Sequence, residues 1–245
     1  MTPIATDFNH RAIAPIECFK EGWELIKDSY WLFFGISVVG TLIGGMFAIV
    51  LMGPMMCGIF ICLLEYQRRQ PIEFSMVFKG FDDFLPALLV QLIKSVPMII
   101  VMVPFYIFWM GMVFSSLPRR GDPGPEFMFT IFGFEILFFG LLMLVHFFVE
   151  IVALFAFPLI VDRKLPAMDA LKLSWAASRA NLSGVIGLLL LDGVFKFAGM
   201  LLCVVGFYFY LPLSFAAYTV AYRKVFADLG PMTYSPPPPP QSWAA

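Results

Sequence analysis

Between Trp31 and Leu64 the chain runs for 34 residues without a formally charged side chain. A straight helix of that length would be roughly 50 Å long, against about 30 Å of bilayer hydrocarbon. One crossing does not fit, so the run must fold back. The sequence offers Gly53-Pro54 as the break, since proline removes a helix donor and glycine permits a turn. This predicts spans over about residues 31–52 and 54–66, the second ending at Tyr66 and Arg68-Arg69. A third is expected over about 84–114, kinked at Pro97 and Pro104, followed by the turn-rich loop SSLPRRGDPGPE. The fourth, about 127–157, has apolar sequence continuing to Val161. Its excess length predicts tilt, a kink before Pro158 or a protruding cytoplasmic end. The last apolar stretch divides near Gly206 into spans of about 183–204 and 207–224.

Composition agrees with six spans in one transmembrane domain, about residues 16–226. The 245 residues are 60% hydrophobic and 13% charged, with a mean hydropathy of +0.87, whereas soluble domains are about a quarter charged. The predicted fold class is all-α, a polytopic transmembrane helical bundle. A net charge of −1 argues against nucleic acid as a partner. Cys18, Cys57, Cys62 and Cys203 form no CxxC pair and read as small packing residues. The opening MTPIATDFNHRAIAPIE lacks a signal peptide's apolar core, so the whole chain is expected to be retained. Residues 1–15 form a cytoplasmic segment, and 227–245 a disordered tail whose PPPPP run is polyproline. Of 16 Lys and Arg, Lys94 and Lys196 fall within spans and Arg119 and Arg120 in an outer loop; the other twelve lie on the inner side. That bias places both termini in the cytoplasm and the protein in the cell membrane.

A preamble occurs twice. Residues 15–30 read PIECFKEGWELIKDSY and residues 166–182 read PAMDALKLSWAASRANL, 152 positions apart. Ile16, Phe19, Trp23, Ile26 and Tyr30 form one apolar stripe at helical spacing, matched by Met168, Leu171, Trp175, Ser178 and Leu182. Glu17, Lys20 and Lys27 correspond to Asp169, Lys172 and Arg179, and Gly35 to Gly187. Amphipathic helices of this kind lie in the membrane interface, with Trp23, Lys27, Trp175 and Arg179 as anchors. They are expected over about 16–30 and 166–181, and a third over about 72–83, where Phe74, Phe78, Phe81 and Leu85 make a further stripe. The pairing reads as an internal duplication whose axis lies along the membrane normal. The alternative is two helices fitted independently to one interface. Asp82 and Asp83 read either as a metal pair or, by preference, as the N-cap of the third span.

For chemistry the sequence is sparse. It has two histidines, His10 and His146, and no HExxH, GxSxG, P-loop or dinucleotide fingerprint. No catalytic residue, metal ligand or cofactor is assigned. Gly40-Thr-Leu-Ile-Gly44 is a small-xxx-small packing motif, and the triplet Asn181-Leu182-Ser183 lies on the unmodified side. Ionisable residues at membrane depth each need a reason: Lys94 on the third span, Glu135, His146 and Glu150 within roughly 60° on the fourth, and Asp192 and Lys196 four apart on the fifth. Two readings stand. They line a polar path, with His146 and Glu150 exchanging protons and Lys94 and Lys196 contacting anions, or they are interhelical salt bridges and hydrogen bonds.

The runs FPLIVDRKLPAMDALKLSWAASRANL and CVVGFYFYLPLSFAAYTVAYRKVF resemble a group of bacterial six-helix membrane proteins related to the membrane domain beside some glycerophosphodiester phosphodiesterases. The matching residues are Pro158, Asp162, Ala170, Ser174, Asn181, Gly206, Pro212 and Tyr222. The resemblance implies a fold and a location. It implies no phosphodiesterase activity, since that chemistry belongs to a separate soluble domain. The expected function is non-enzymatic: a lipid-interacting or membrane-organising protein whose partners are membrane lipids. The alternatives are a small-solute or proton-coupled transporter using the buried ionisable residues, and a scaffold whose proline-rich tail docks a protein partner.

Overall fold

The computed structural model describes residues 8–10, 12–47, 49–116, 125–202 and 205–226. Arg11, Arg119, Arg120, Cys203 and the proline-rich tail lie outside them. The described residues fold as an all-α bundle without strands. A short helix α1 (Pro15–Ile26) turns through a 3-10 step (Lys27–Ser29) into the hairpin α2 (Tyr30–Met46) and α3 (Met52–Gln67). A 3-10 helix (Phe74–Asp83) leads to the long hairpin of α4 (Phe84–Ser116) and α5 (Pro125–Ala153), the latter extended by α6 (Ala156–Arg163). Helix α7 (Ala167–Ala180) then precedes the last hairpin, α8 (Leu182–Leu201) and α9 (Val205–Val225). Four stretches are long and apolar enough to cross a membrane: Pro15–Met46, Phe74–Met112, Phe129–Arg163 and Leu182–Leu201. Helix α3 is apolar but shorter.

The first turn falls earlier than predicted. Helix α2 stops at Met46, and the reversal occupies Phe47–Leu51, where Val50 and Leu51 both donate N–H bonds to the Phe47 carbonyl. Gly53 and Pro54 instead sit in the first turn of α3, where proline sacrifices no hydrogen bond. A side chain at Gly53 would strike the Ala87 backbone of α4, so glycine serves a helix contact there. Gly40 and Gly44 face Ile59 and Met52 of α3, so the small-xxx-small motif packs within the bundle.

The fourth span is interrupted after Ala153 and resumes at Ala156, before Pro158. Proline has no N–H to return to the preceding turn, and Ser174 of α7 bonds the backbone beside the interruption. Its hydroxyl donates to the Val152 carbonyl at 2.8 Å and accepts the Phe155 N–H at 3.1 Å. By contrast, α4 continues as helix through Pro97 and Pro104.

The apolar stripe expected along the preambles is split. On α1, Cys18, Phe19, Gly22 and Ile26 are buried, while Ile16 is 63% exposed and Trp23 turns outward. On α7 the partners 152 residues on behave alike: Ala170, Leu171, Ser174 and Ser178 are buried, and Met168 is 55% exposed. Each helix seats one edge on the protein and presents the other to its surroundings. The third predicted amphipathic helix is 3-10 rather than α. Val77 and Gly80, three residues apart, share one face at the 3-10 period and are buried against α3, while Phe74, Phe78 and Phe81 face out.

These packing partners form a cycle. The 3-10 helix lies on α2 and α3, α7 lies on α4, α5 and α6, and α1 lies on α8 and α9. Each short helix covers the hairpin before it, and α1, which has none, takes the last. All three use one local pattern: Phe19-Lys20-Glu21-Gly22-Trp23, Phe78-Lys79-Gly80-Phe81 and Leu171-Lys172-Leu173-Ser174-Trp175. The small residue marks the closest approach. A Cβ on Gly22 would sit 2.9 Å from the Ala217 nitrogen, and one on Gly80 would overlap the Pro54 carbonyl. Two of the preceding corners also match. Arg69 and Lys164 have positive φ (61° and 50°) just after α3 and α6, each two residues before a proline. The third amphipathic segment therefore packs on its hairpin in the same manner as the two preambles, with a 3-10 rather than an α period.

Asn181, at the α7–α8 corner, closes the cycle. Its carboxamide oxygen accepts the Ala12 N–H at 2.8 Å, and its nitrogen donates to the Asn9 carbonyl at 2.9 Å. Asn9 in turn donates its N–H to the Val225 carbonyl.

Candidate functional site

Two layers of ionisable side chains thread the bundle. The first lies where α3, α6 and α9 end. Asp162 of α6, its side chain 2% exposed, receives Arg68 Nη2 of α3 at 2.6 Å, Arg223 Nη1 and Nη2 of α9 at 3.1 and 3.0 Å, and the Tyr222 hydroxyl at 2.7 Å. Four donors satisfy a carboxylate's acceptor sites. Glu65 pairs with Arg68 at 3.1 Å, so two acids meet two arginines. Nearby, Lys164 reaches Asp83 at 2.7 Å, and Lys224 reaches Glu21 at 2.8 Å. Asp83 thus joins α6 to the 3-10 helix. Asp82 is exposed, and among the described residues no group of three His, Cys, Asp or Glu side chains is placed to hold a metal ion.

The second layer lies farther along the helices, within their apolar runs, and has two parts. Asp192 of α8 is buried and accepts from Tyr210 at 2.9 Å, Ser214 at 2.6 Å, Tyr218 at 2.5 Å and Lys196 at 2.7 Å. The other part is Lys94 of α4 and Glu150 of α5, 2.9 Å apart, with the Lys94 ammonium also 5.4 Å from the centre of the Phe157 ring. This pair opens onto a cavity of about 440 Å³. Gln91 and Ser95 line it from α4, His146 from α5, and Ile49, Met52 and Met56 from the first hairpin. Lys196 lies within electrostatic reach of Glu150.

Of the six residues singled out at membrane depth, Lys94, His146 and Glu150 share one cavity, and Asp192 pairs with Lys196 beside it. Glu135 stands apart. Eleven residues along α5 place it roughly 16 Å from His146, and it forms no ion pair among the described residues. Both lysines read as anion contacts are already neutralised by a carboxylate. The anchor residues keep to the rim: Trp23 packs on Tyr30, Lys27 pairs with Glu24, and Arg179 lies over the Trp175 ring at 5.7 Å.

Sequence reading missed the donors. Tyr210, Ser214, Tyr218 and Tyr222 recur every four residues along α9, a polar stripe on an apolar helix. Its first three members serve Asp192 and the fourth serves Asp162. That spacing was the available signal. The assembly of Arg68 with Asp162, 94 residues apart, left no comparable trace. Searches against family models, curated proteins and solved structures find no match for this chain.

Proposed function

We propose that this is a lipid-interacting, membrane-organising protein of the cytoplasmic membrane, with six crossings, both termini inside and no catalysis of its own. The observation that carries the reading is the rim of three short helices. Each is seated on a hairpin by a buried edge, and together they turn Ile16, Trp23, Phe74, Phe78, Phe81 and Met168 outward beside the exposed Lys20, Lys79 and Lys172. Aromatic rings with adjacent cations suit the headgroup zone of a bilayer. The bond from Asn9 to Val225 supports both termini on one side.

The test is to reconstitute the full chain in bilayers of mixed zwitterionic and anionic lipid, extract it gently and compare the retained lipid with the bulk. Enrichment in anionic lipid is expected, and it should fall toward bulk when Lys20, Lys79 and Lys172 are all changed to Gln. Bulk composition around the wild type would overturn the reading. A proton-coupled transporter is the second reading, favoured by His146 and Glu150 on one cavity. It requires a pH-dependent flux in proteoliposomes that Glu150→Gln abolishes, and an unchanged flux in that variant removes it.

A further inference from the structure

The cavity at Lys94 does not end at its charged residues. Beyond it, along the same two helices, runs an apolar groove of about 530 Å³ lined by Pro104, Phe105 and Phe108 of α4 and Phe134, Phe138 and Leu141 of α5. Gln91, Lys94 and Met98 face the cavity, and Val101, Phe105 and Phe108 face the groove. These six recur at spacings of 3, 4, 3, 4 and 3, so they form one continuous stripe of α4. On α5, Leu141 of the groove and His146 of the cavity are about 7.5 Å apart along the axis and roughly 140° apart around it, so the shared stripe belongs to α4. A chamber that carries Lys94 and Glu150 among mainly apolar side chains, followed along the same helices by an apolar groove, matches an amphiphile, and both volumes fall in the range of about 300–1,000 Å³ usual for ligand sites.

We infer that the α4–α5 seam holds one zwitterionic glycerophospholipid with a primary ammonium, its headgroup at Lys94 and Glu150 and an acyl chain in the groove. The inference rests on the lipid-interacting reading above and adds a defined site to it. Charge selects the headgroup. Lys94 and Glu150 are 2.9 Å apart and retain 15% and 28% side-chain exposure, so a ligand can reach both. Their sum is zero, which gives a net anion no advantage. A phosphate beside an ammonium offers each a partner, exchanging one ion pair for two charge-assisted contacts. A quaternary ammonium has no N–H to give Glu150. Gln91 and His146 line the same chamber and supply further polar contacts.

Depth agrees as well. Between Val96 and Phe114 α4 carries no polar side chain beyond the Tyr106 hydroxyl and Trp109 indole. These 19 residues are about 28 Å of helix, one hydrocarbon thickness. Measured from the polar loop that follows α4 in the sequence, Lys94 therefore stands at the headgroup level of the inner leaflet. Measured from Phe84 it lies about 15 Å inside the apolar helix. The two measurements differ because α4 is longer than the bilayer is thick, an excess that tilt takes up, and a lipid with its headgroup at Lys94 would direct its chain toward Phe108.

The experiment is native mass spectrometry of the full-length protein, delipidated in detergent and offered equal amounts of phosphatidylethanolamine, phosphatidylcholine and phosphatidylglycerol with identical chains. One phosphatidylethanolamine should survive collisional activation that strips the other two lipids. Lys94→Gln and Glu150→Gln should each lower its retained fraction about tenfold. Val101→Trp, which fills the groove and leaves the charges in place, should do the same with helical content and Tm unchanged. Equal retention of the three lipids, preference for phosphatidylglycerol, or undiminished phosphatidylethanolamine in Val101→Trp would each overturn the site. The groove variant decides the matter even if the charge variants do not fold. Loss of anionic enrichment at the rim would leave this result untouched, so the two proposals fail separately.

Discussion

Asp162 and Glu150 are both carboxylates inside an apolar bundle, and they are treated in opposite ways. Asp162 is closed off and saturated by donors from α3 and α9. Glu150 has one strong partner, Lys94, and faces a cavity. A saturated buried acid has no acceptor left for a ligand and serves to fix the relative positions of three helices. An acid with a single partner and open space beside it can exchange contacts. Asp192, with four donors, belongs with Asp162. The contrast separates framework from site within one set of charged residues.

Breaking the framework should have the largest effect. Asp162→Ala leaves Arg68 and Arg223 side by side without their shared acid, a loss of about 3–5 kcal/mol. The expected outcome is protein that aggregates on extraction, or a sharply lowered Tm in detergent. A Tm within a degree or two of wild type would remove Asp162 from the framework. Ser174→Ala comes next. It strips one donor and one acceptor from the interruption between α5 and α6 and should cost about 1–3 kcal/mol, readable as a lower Tm with helical content retained. Glu150→Gln should be mildest, about 1 kcal/mol or less, because Lys94 keeps access to the cavity and the Phe157 ring. If thermal melts ranked Glu150→Gln level with Asp162→Ala, the division between framework and site would collapse.

A second contrast is between the short hairpins and the long one. Helices α2 and α3, of 17 and 16 residues, measure about 25 Å, whereas α4 with 33 residues measures about 50 Å. Beyond the first hairpin's turn, α4 and α5 have mainly each other, with Phe105 stacked on Phe134 and Phe138. Ile107, Phe132 and Leu137 are left exposed. The base of the molecule is built by packing, and the distal hairpin relies on lipid to solvate it.

Hydropathy alone determined that this chain is helical and belongs in a membrane, because runs such as Trp31–Leu64 have no other solvent. Helical spacing located α1 and α7, and burial agrees at several positions 152 residues apart, although Leu173 and Ala177 are buried where Glu21 and Leu25 are not. Local rules did not locate the first turn, because Gly53-Pro54 is equally suited to a turn and to the start of a helix, and only the contact with Ala87 decides between them. They placed the third short segment, near residues 72–83, but as an α-helix, whereas it folds with the 3-10 period. The ionisable residues were conspicuous one by one, since charge in an apolar run needs a reason. Which became framework and which faced a cavity was settled by the tertiary structure, because a carboxylate's role depends on how many donors surround it. Those donors come from helices up to 94 residues away.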